Sequence, residues 1–157
     1  GGEIAGVLRE ATLLAPDGQV KAVPAAELGL GYRHSRMMET GEIVVEAAFA
    51  LAPGDANAIA AAMRDYAARR REKQPVTLPS AGSFFKRPAG HFAGALIEGA
   101  GLKGLRVGGA EVSTLHAGFL VNVGGATAQD FLDLSAQVIE RVRQTSGVTL
   151  EPEVQII

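Results

Sequence analysis

The sequence of 157 residues contains no cysteine and no tryptophan, and aromatic residues make up only 5% of it. The absence of cysteine excludes disulfide bonds, thiolate zinc sites and cysteine nucleophiles. No apolar run reaches the roughly 18 residues needed to cross a bilayer. Fifteen Lys and Arg against 17 Asp and Glu leave a net charge of -2, so the chain has no overall basic field for nucleic acid. We therefore expect neither a membrane nor a nucleic acid as a partner.

The first third of the chain has the pattern of a small antiparallel sheet. Pro16-Asp17-Gly18 is a strong turn signal between two short apolar runs, which predicts a hairpin. A third run is rich in β-branched and aromatic residues, although its alanines also permit a helix. The predicted strands cover residues 7–15, 19–23 and 42–51.

Helix signals begin near residue 53, which we take as a domain boundary. Apolar spacing predicts one helix over 56–72 and a shorter one over 91–98. Two prolines predict a loop over 73–83 between them. The strands expected after the second helix cover residues 106–112, 118–123 and, in the tail, 148–157.

The last helix has the clearest ends in the sequence. Thr127 and Asp130 resemble a capping box with aspartate in place of glutamate, and Gly147 fits the position after the last turn. Helical spacing predicts that one stripe of this helix is buried. The stripe consists of Phe131, Leu134, Val138 and Val142.

The segment with the strongest functional signal is SAGSFFKRP, residues 80–88. Small residues before Ser83 let the backbone approach a ligand closely, and Lys86 and Arg87 can donate hydrogen bonds to carboxylate or phosphate oxygens. Ser83 has no GxSxG context and no evident histidine partner, which disfavours a nucleophilic triad. The composition indicates a loop that binds an anion, with a purely structural serine as the alternative.

Three other motifs have plain structural explanations. GAGLKG, residues 99–104, matches the dinucleotide pattern GxGxxG, but it follows a helix and precedes a strand, which favours a helix end and turn. The arginine run 69–71 lies in the last turns of a helix, where the macrodipole favours cations, and a phosphate patch is the alternative. His34 and His116 have no partner at metal-ligand spacing, so we expect no metal site.

Two charged positions have open interpretations. Arg33 follows small, flexible residues and either holds a carboxylate with two hydrogen bonds or forms a surface ion pair. Glu151 and Glu153 flank Pro152, and strand alternation predicts that both lie on one face. Two like charges side by side are either solvated or tuned for chemistry.

Together, and in this order, these motifs resemble the UDP-N-acetylenolpyruvoylglucosamine reductases, also called UDP-N-acetylmuramate dehydrogenases, which are flavoenzymes of bacterial peptidoglycan precursor synthesis. The likeness covers nearly the whole chain. The serine loop and the glycine-rich stretch that ends in HAGFLVN are specific, whereas the tail alone would be weak. The segments that carry it are ELGLGYRHS (27–35), KQPVTLPSAGSFFKRP (73–88), AGALIEGAGLKGLRVGGAEVSTLHAGFLVN (93–122) and GVTLEPEV (147–154).

The resemblance implies a cytoplasmic bacterial oxidoreductase with FAD and NADPH as cofactors, of the type without an inserted tyrosine-bearing loop. NADPH would reduce FAD, and the reduced flavin would pass a hydride to the enolpyruvyl double bond of UDP-N-acetylglucosamine enolpyruvate, giving UDP-N-acetylmuramate. Hydride addition leaves negative charge beside a carboxylate, and this charge must be stabilised and then quenched by a proton.

Three residues match the family's catalytic positions. Ser83 aligns with the proton donor, and Arg33 aligns with the arginine that grips the substrate carboxylate. Glu153 aligns with the catalytic glutamate, which is either protonated or works through Arg33, because a bare carboxylate would repel the enolate. The residues that resemble substrate contacts are Tyr32, Lys73, Arg87 and His116.

The expected fold class is α+β. Residues 1–52 would be the carboxyl-terminal remnant of an FAD-binding domain, and residues 53–157 a compact substrate-binding domain. The sequence lacks the family's amino-terminal flavin-binding loops, so the flavin contacts are unknown, and we expect this chain alone to bind FAD poorly and to be inactive. The alternatives are a nucleotide-sugar binding module without redox activity and a structural interaction domain.

Overall fold

A computed structural model describes residues 2–31 and 33–155 and divides the chain into two compact units, Gly1–Ala56 and Asn57–Ile157. Helices alternate with strands that pair only in antiparallel fashion, which confirms the α+β class. The strands are β1 (Leu8–Leu14), β2 (Val20–Pro24), β3 (Ile43–Phe49), β4 (Ser80–Ser83), β5 (Arg106–Val107), β6 (Ala110–Val112) and β7 (Phe119–Asn122). The helices are α1 (Met37–Thr40), α2 (Ala56–Lys73), α3 (Ala93–Gly99) and α4 (Ala128–Ser146). The assignment of 1–52 to a flavin domain and 53–157 to a substrate domain stays a prediction.

The first unit is a three-stranded sheet in the order β2-β1-β3. The predicted hairpin is confirmed, and Asp17 accepts a hydrogen bond from the Gln19 amide at 3.0 Å within its turn. The third predicted strand is also confirmed as β3. Two short 3-10 helices (Ile4–Gly6 and Ala25–Glu27) and α1 were not predicted. The core of this unit consists of Ala11, Leu13, Val23 and Leu28.

The second unit packs α3 and α4 against a four-stranded sheet in the order β4-β7-β6-β5. The apolar residues of the two helices and of the central strands form one buried cluster with Phe84 and Phe85. Its residues without any solvent exposure are Ile97, Ala110, Val112, Leu134, Val138 and Val142.

The final helix forms as predicted. Thr127 accepts a hydrogen bond from the Asp130 amide at 3.1 Å, and Asp130 accepts one from the Thr127 amide at 2.9 Å, which completes the capping box. Gly147 ends the helix at φ 73°, a conformation that favours glycine. Of the predicted stripe, Phe131 is only partly buried and packs against the cluster.

The loop predicted over 73–83 is wrong at both ends. Lys73 is the last residue of α2, and Ser80–Ser83 form an edge strand. This strand exists because Ser80 pairs with Val121 and Ser83 with Phe119. Small polar residues carry no local signal for a strand whose partner lies far along the chain.

Three other predicted elements differ from the structure. The strand predicted over 106–112 is a hairpin of β5 and β6, with Gly108 at φ 53° in its turn. In the described part of the tail, the strand predicted over 148–157 is reduced to one bridge between Pro152 and Phe85, because proline has no N–H to extend a ladder. The helix expected from residue 91 begins at Ala93.

The glycine-rich segment 99–104 is a helix end followed by a turn, as the sequence favoured. The Ala100 amide donates to the Leu96 carbonyl at 3.0 Å and thereby closes α3. Gly101 and Gly104 then adopt φ angles of 71° and 79°. The dinucleotide pattern therefore has a purely structural explanation.

Gly109 is the closest packing point between the β5-β6 turn and the start of α4. Its amide donates to Asp130 at 3.3 Å, and a methyl group at its Cα would overlap the Gly124 carbonyl oxygen and the Ala126 amide. Backbone hydrogen bonds from Thr127 and Gly109 lower the pKa of Asp130 below its ordinary value. One carboxylate thus caps the helix and fixes the turn.

We predict that Gly109→Ala destabilises the chain by about 1–3 kcal/mol, the usual cost of forcing extra atoms into packed backbone. The measurement is urea unfolding of the 157-residue chain followed by circular dichroism. Gly99→Ala is the matched control, because a methyl group at Gly99 meets no atom within 4 Å. Equal stability of Gly109→Ala and Gly99→Ala would contradict this account of the turn.

Candidate active site

The tail returns to the serine loop and pairs with it through the backbone. The Glu153 amide donates to the Phe84 carbonyl at 2.9 Å, and the Lys86 amide donates to the Glu151 carbonyl at 2.8 Å. Because Ser83 precedes Phe84 directly, the second unit brings two of the three predicted catalytic residues, Ser83 and Glu153, to neighbouring positions. Ser83 is exposed, and Glu153 is partly buried.

The two aromatic residues after Ser83 anchor the loop in the core. Phe84 and Phe85 are 5% and 3% exposed, and their rings meet edge to face at 5.1 Å. The Phe84 amide also donates to the Gly118 carbonyl at 2.9 Å. Because two large rings are buried directly after Ser83, the backbone that carries the serine hydroxyl is fixed.

Lys86 is engaged by the tail. Its ammonium lies 3.2 Å from a carboxylate oxygen of Glu151, and both side chains are more than half exposed. Such a pair contributes little to stability in water, but it directs the Lys86 ammonium toward Glu151.

His116 is held in one orientation by its neighbours. Its Nδ1 accepts a hydrogen bond from the Gly118 amide at 3.1 Å, and its ring meets Phe119 edge to face at 5.0 Å. Gly94 leaves room for the ring, since a methyl group there would lie 3.2 Å from Cε1. With Nδ1 as an acceptor, neutral His116 carries its proton on Nε2 and offers that nitrogen as a donor.

Contacts with two neighbouring residues hold the Arg87 side chain. Its guanidinium carbon lies 4.0 Å from the centre of the Phe92 ring, and its Nε donates to the His91 carbonyl at 3.3 Å. A cation over an aromatic face is attracted by the ring quadrupole. Arg87 is otherwise exposed, so its remaining N–H groups face solvent.

A cavity of about 580 Å³ lies beside the serine strand and has a basic rim. The sequence favoured a solvated helix end for the arginine run, with a phosphate patch as the alternative, and did not predict a cavity. That interpretation is correct for the position of the run, since Arg70 and Arg71 lie in the last turn of α2. Lys73, which we expected at the substrate, does not line the cavity. The residues that line the cavity include Arg70, Arg71, Gln74, Ser80, Gly82 and Phe119.

Arg33 belongs to the first unit and lies in a tight turn. Gly31 and His34 close this turn with two backbone hydrogen bonds of 3.0 and 3.2 Å, and Arg33 adopts φ 55°, which is uncommon for a residue with a side chain. Arg33 and His34 line a cavity of about 550 Å³ within the first unit. Tyr32 lies outside the described residues.

The base of the same loop carries a buried ion pair that the sequence did not suggest. Arg36 donates from Nε and Nη2 to the two carboxylate oxygens of Glu42 at 2.9 and 2.8 Å, and Thr40 donates to Glu42 at 2.8 Å. Lys21 lies 3.2 Å from the same carboxylate. The hydrogen bonds from Arg36 and Thr40 lower the pKa of Glu42 to about 2.

Other kinds of site find no support within residues 2–31 and 33–155. No group of three or more His, Asp or Glu side chains there could hold a metal ion. None of the described helices is both long and apolar enough to cross a membrane.

Comparison with known proteins identifies the family. The model of a family described as "UDP-N-acetylenolpyruvoylglucosamine reductase, C-terminal domain" matches residues 74–157, which is more than half of the chain. The chain belongs to this family. The resemblance drawn from the sequence motifs is therefore confirmed.

Relatives and a solved structure extend the match to the first unit. UDP-N-acetylenolpyruvoylglucosamine reductase of Streptococcus equi subsp. zooepidemicus is 54% identical over all 157 residues, which cover 53% of that protein. The same reductase of Levilactobacillus brevis is 53% identical, with 52% of it covered. The crystal structure of the Thermus caldophilus reductase matches with a TM-score of 0.80 and 36% identity over 98% of this chain and 54% of that one. The chain spans about half the length of the curated relatives it matches.

We predict that the first unit of this reductase-family chain loses stability as the pH falls from about 4.5 to about 2. The pKa of Glu42 is depressed in the folded state. The unfolded state therefore binds more protons in this window, and the first unit becomes less stable as the pH decreases. The measurement is the intensity of the native Leu13 amide signal by NMR. Glu42→Gln is the control, and we expect its remaining stability to depend less on pH. The same acid sensitivity in Glu42→Gln would argue against Glu42 as the cause.

Proposed function

We propose that this chain is part of an NADPH- and FAD-dependent reductase that converts UDP-N-acetylglucosamine enolpyruvate to UDP-N-acetylmuramate. The observation that carries the proposal is the return of the tail to the serine loop, where the Glu153 amide donates to the Phe84 carbonyl at 2.9 Å. Ser83 and Glu153, from distant parts of the sequence, thereby lie on neighbouring stretches of backbone. This reaction needs a proton donor and a group that balances the developing charge.

Ser83 is the proposed proton donor. An alcohol is a weak acid, so it can give up a proton only where neighbouring donors stabilise the oxyanion that forms. The exposed position of Ser83 on a strand anchored by two buried rings supports this role. Since Lys86 is directed toward Glu151, we propose that backbone N–H groups of the loop or an ordered water, rather than Lys86, stabilise the oxyanion.

Arg33 and Glu153 are the proposed charge-handling residues. Arg33 would hold the substrate carboxylate with two hydrogen bonds and draw negative charge toward it. Its position on a cavity of about 550 Å³ supports access to a ligand. Glu153 would act in its protonated form or through Arg33, because an ionised carboxylate beside an enolate is repelled.

We propose that the flavin lies against the bare backbone before Ser83. Gly82 adopts φ 83°, and a side chain there would meet no atom within 4 Å, so a planar ring has room to approach the serine strand. FAD, reduced by NADPH, would supply the hydride. The residues of this chain would orient the enolpyruvyl group and deliver the proton.

The basic cavity beside β4 is the proposed site for the diphosphate of the UDP sugar. Arg70 and Arg71 line it together with Gln74, which accepts a hydrogen bond from Arg70 Nε at 3.1 Å, and arginine binds phosphate oxygens with paired hydrogen bonds. Arg87, His116 and Lys73 are kept as predicted further contacts to the substrate, and Tyr32 as a neighbour of Arg33. We place this activity in peptidoglycan precursor synthesis in the bacterial cytoplasm, where it would serve cell shape and division.

A nucleotide-sugar binding module without redox activity is the second candidate for the chain by itself. The observation in its favour is that the basic cavity is lined entirely by residues of the second unit. Binding to this cavity needs no redox cofactor. Both candidates therefore predict binding of the UDP sugar, and only the reductase predicts consumption of NADPH.

We predict that Ser83→Ala slows the second half-reaction by roughly two to four orders of magnitude, because a general acid is lost. The test uses a chimaera in which this chain replaces the matching segment of the Streptococcus equi reductase. Stopped-flow absorbance of the flavin separates its reduction by NADPH, which we expect to be unchanged, from its reoxidation by substrate. Ser146→Ala, at the end of α4, is the control. Equal slowing of both half-reactions would remove Ser83 as the proton donor.

We also predict that Arg70→Met and Arg71→Met each weaken binding of UDP-N-acetylglucosamine to the 157-residue chain about 10- to 100-fold. A hydrogen bond to a charged group contributes about 1.5–3 kcal/mol, and each 1.4 kcal/mol is about tenfold in affinity. Isothermal titration calorimetry measures the change. Arg69→Met is the matched control, because Arg69 does not line the cavity and pairs with Asp65 at 2.8 Å. A loss in Arg69→Met as large as in the other two would point to general surface charge.

A further inference from the structure

The loop that carries Arg33 is closed at its base and at its tip. The Arg36 amide donates to the Leu28 carbonyl at 2.9 Å, which joins the two ends of the loop. The mutual hydrogen bonds of Gly31 and His34 form the tip. Arg33 lies at this tip, inside the turn that Gly31 and His34 close, so the direction of its side chain depends on how firmly the base holds the turn.

The side chain of Arg36 ties this base to the rest of the first unit. Two of its nitrogens hold the carboxylate of Glu42 at 2.9 and 2.8 Å, and its Nη1 donates to the Glu27 carbonyl at 3.4 Å. Glu42 directly precedes β3, and Glu27 ends the 3-10 helix before the loop. One guanidinium therefore connects the entry to the loop, its exit and the sheet.

Glu42 is a buried carboxylate that is fully committed to this connection. Its side chain is 4% exposed. It accepts hydrogen bonds from Arg36 and Thr40, and it forms an ion pair with Lys21. Such a carboxylate has no exposed oxygen for a ligand. Removal of Arg36 leaves this carboxylate with only Thr40 and Lys21, and the loss of a partner from a buried charge is more costly than the loss of a surface pair.

The sequence of the loop makes such an anchor necessary. Gly29 and Gly31 increase the backbone freedom on one side of the tip, and Gly29 adopts φ 59°. A methyl group on Gly29 would lie 3.5 Å from the Arg36 amide nitrogen, so the two ends of the loop pass close together. A loop with two glycines loses more conformational entropy when it is ordered, so fixed ends help it to keep one shape.

We propose that Arg36 and Glu42 are positioning residues that set the direction in which Arg33 presents its guanidinium to the substrate carboxylate. This inference rests on the proposed role of Arg33 in the reductase. Neither residue touches the substrate in this scheme. A displacement of about 1 Å in a catalytic group can cost about 100-fold in rate, so a looser base is expected to lower kcat.

The test is a double-mutant cycle in the chimaera with the Streptococcus equi reductase. Arg36→Lys keeps the charge but replaces the paired hydrogen bonds by one, and we expect it to lower kcat of flavin reoxidation about 10- to 100-fold. KM for the UDP sugar should change less than about threefold, and flavin reduction by NADPH should not change. In an Arg33→Ala background, Arg36→Lys should have less than about a twofold further effect, because the guanidinium that Arg36 positions is then absent.

The matched control is Arg143→Lys. Arg143 also holds a carboxylate through Nε and Nη2, that of Glu140 at 3.1 and 2.9 Å, but both side chains are about half exposed and lie on α4. It should leave kcat unchanged. Glu42→Gln is the second variant for the cycle and replaces Arg36→Lys if the latter reduces the folded fraction, measured by the native Leu13 amide signal.

The outcomes distinguish the positioning role of Arg36 from the proposed role of Arg33. If the effects of Arg36→Lys and Arg33→Ala multiply, or if Arg36→Lys raises KM and leaves kcat unchanged, the positioning proposal is wrong and the role of Arg33 stands. If Arg33→Ala alone leaves flavin reoxidation unchanged, the proposed function of Arg33 fails and the positioning proposal fails with it. Faster hydrogen exchange of the His34 amide in Arg36→Lys than in Arg143→Lys would be the structural sign of a loosened loop.

Discussion

The backbone hydrogen bonds between residues 84–86 and 151–153 bring the tail, with Glu151 and Glu153, to the loop that carries Ser83 and Lys86. They are held in place from both ends by apolar burial, because Leu150 is 2% exposed and Val154 packs against the same cluster as Phe84 and Phe85. Full burial of one such side chain contributes about 1.5–3 kcal/mol. The hydrophobic core thus fixes the short polar stretch Glu151-Pro152-Glu153 against the strand that begins at Ser80.

The surroundings of four arginines, Arg36, Arg70, Arg71 and Arg143, determine what each can do. Arg36 binds a carboxylate whose side chain is 4% exposed, and it is therefore committed to structure. Arg143 makes the same paired contact on an exposed helix face, where it contributes little. Arg70 and Arg71 line a cavity, so their guanidinium groups can meet an anionic ligand. A net charge of -2 conceals this separation of roles.

Local patterns predicted the elements whose stabilising contacts lie close in sequence. The hairpin of β1 and β2 follows from Pro16-Asp17-Gly18, and the limits of α4 follow from its capping box and Gly147. The edge strand Ser80–Ser83 escaped prediction, since it exists through pairing with distant residues. The β5-β6 hairpin was predicted as one strand over 106–112, and its turn at Gly108 was missed. For the candidate site, composition singled out the loop that carries Ser83, and the family resemblance supplied the expected roles of Ser83, Arg33 and Glu153. It could not single out Glu42, whose burial is a property of the folded unit.

The sequence by itself determined the α+β class, the ends of the final helix and the family, because these depend on residue type and on spacing over a few turns. Only the tertiary structure decided that the tail pairs with the serine loop, that Arg70 and Arg71 border a cavity and that Arg36 holds the base of the Arg33 loop. The physical reason is that hydrogen bonds and ion pairs between distant residues exist only once the core has brought them together. A residue's type fixes which bonds it can make, and the fold selects which of them it makes.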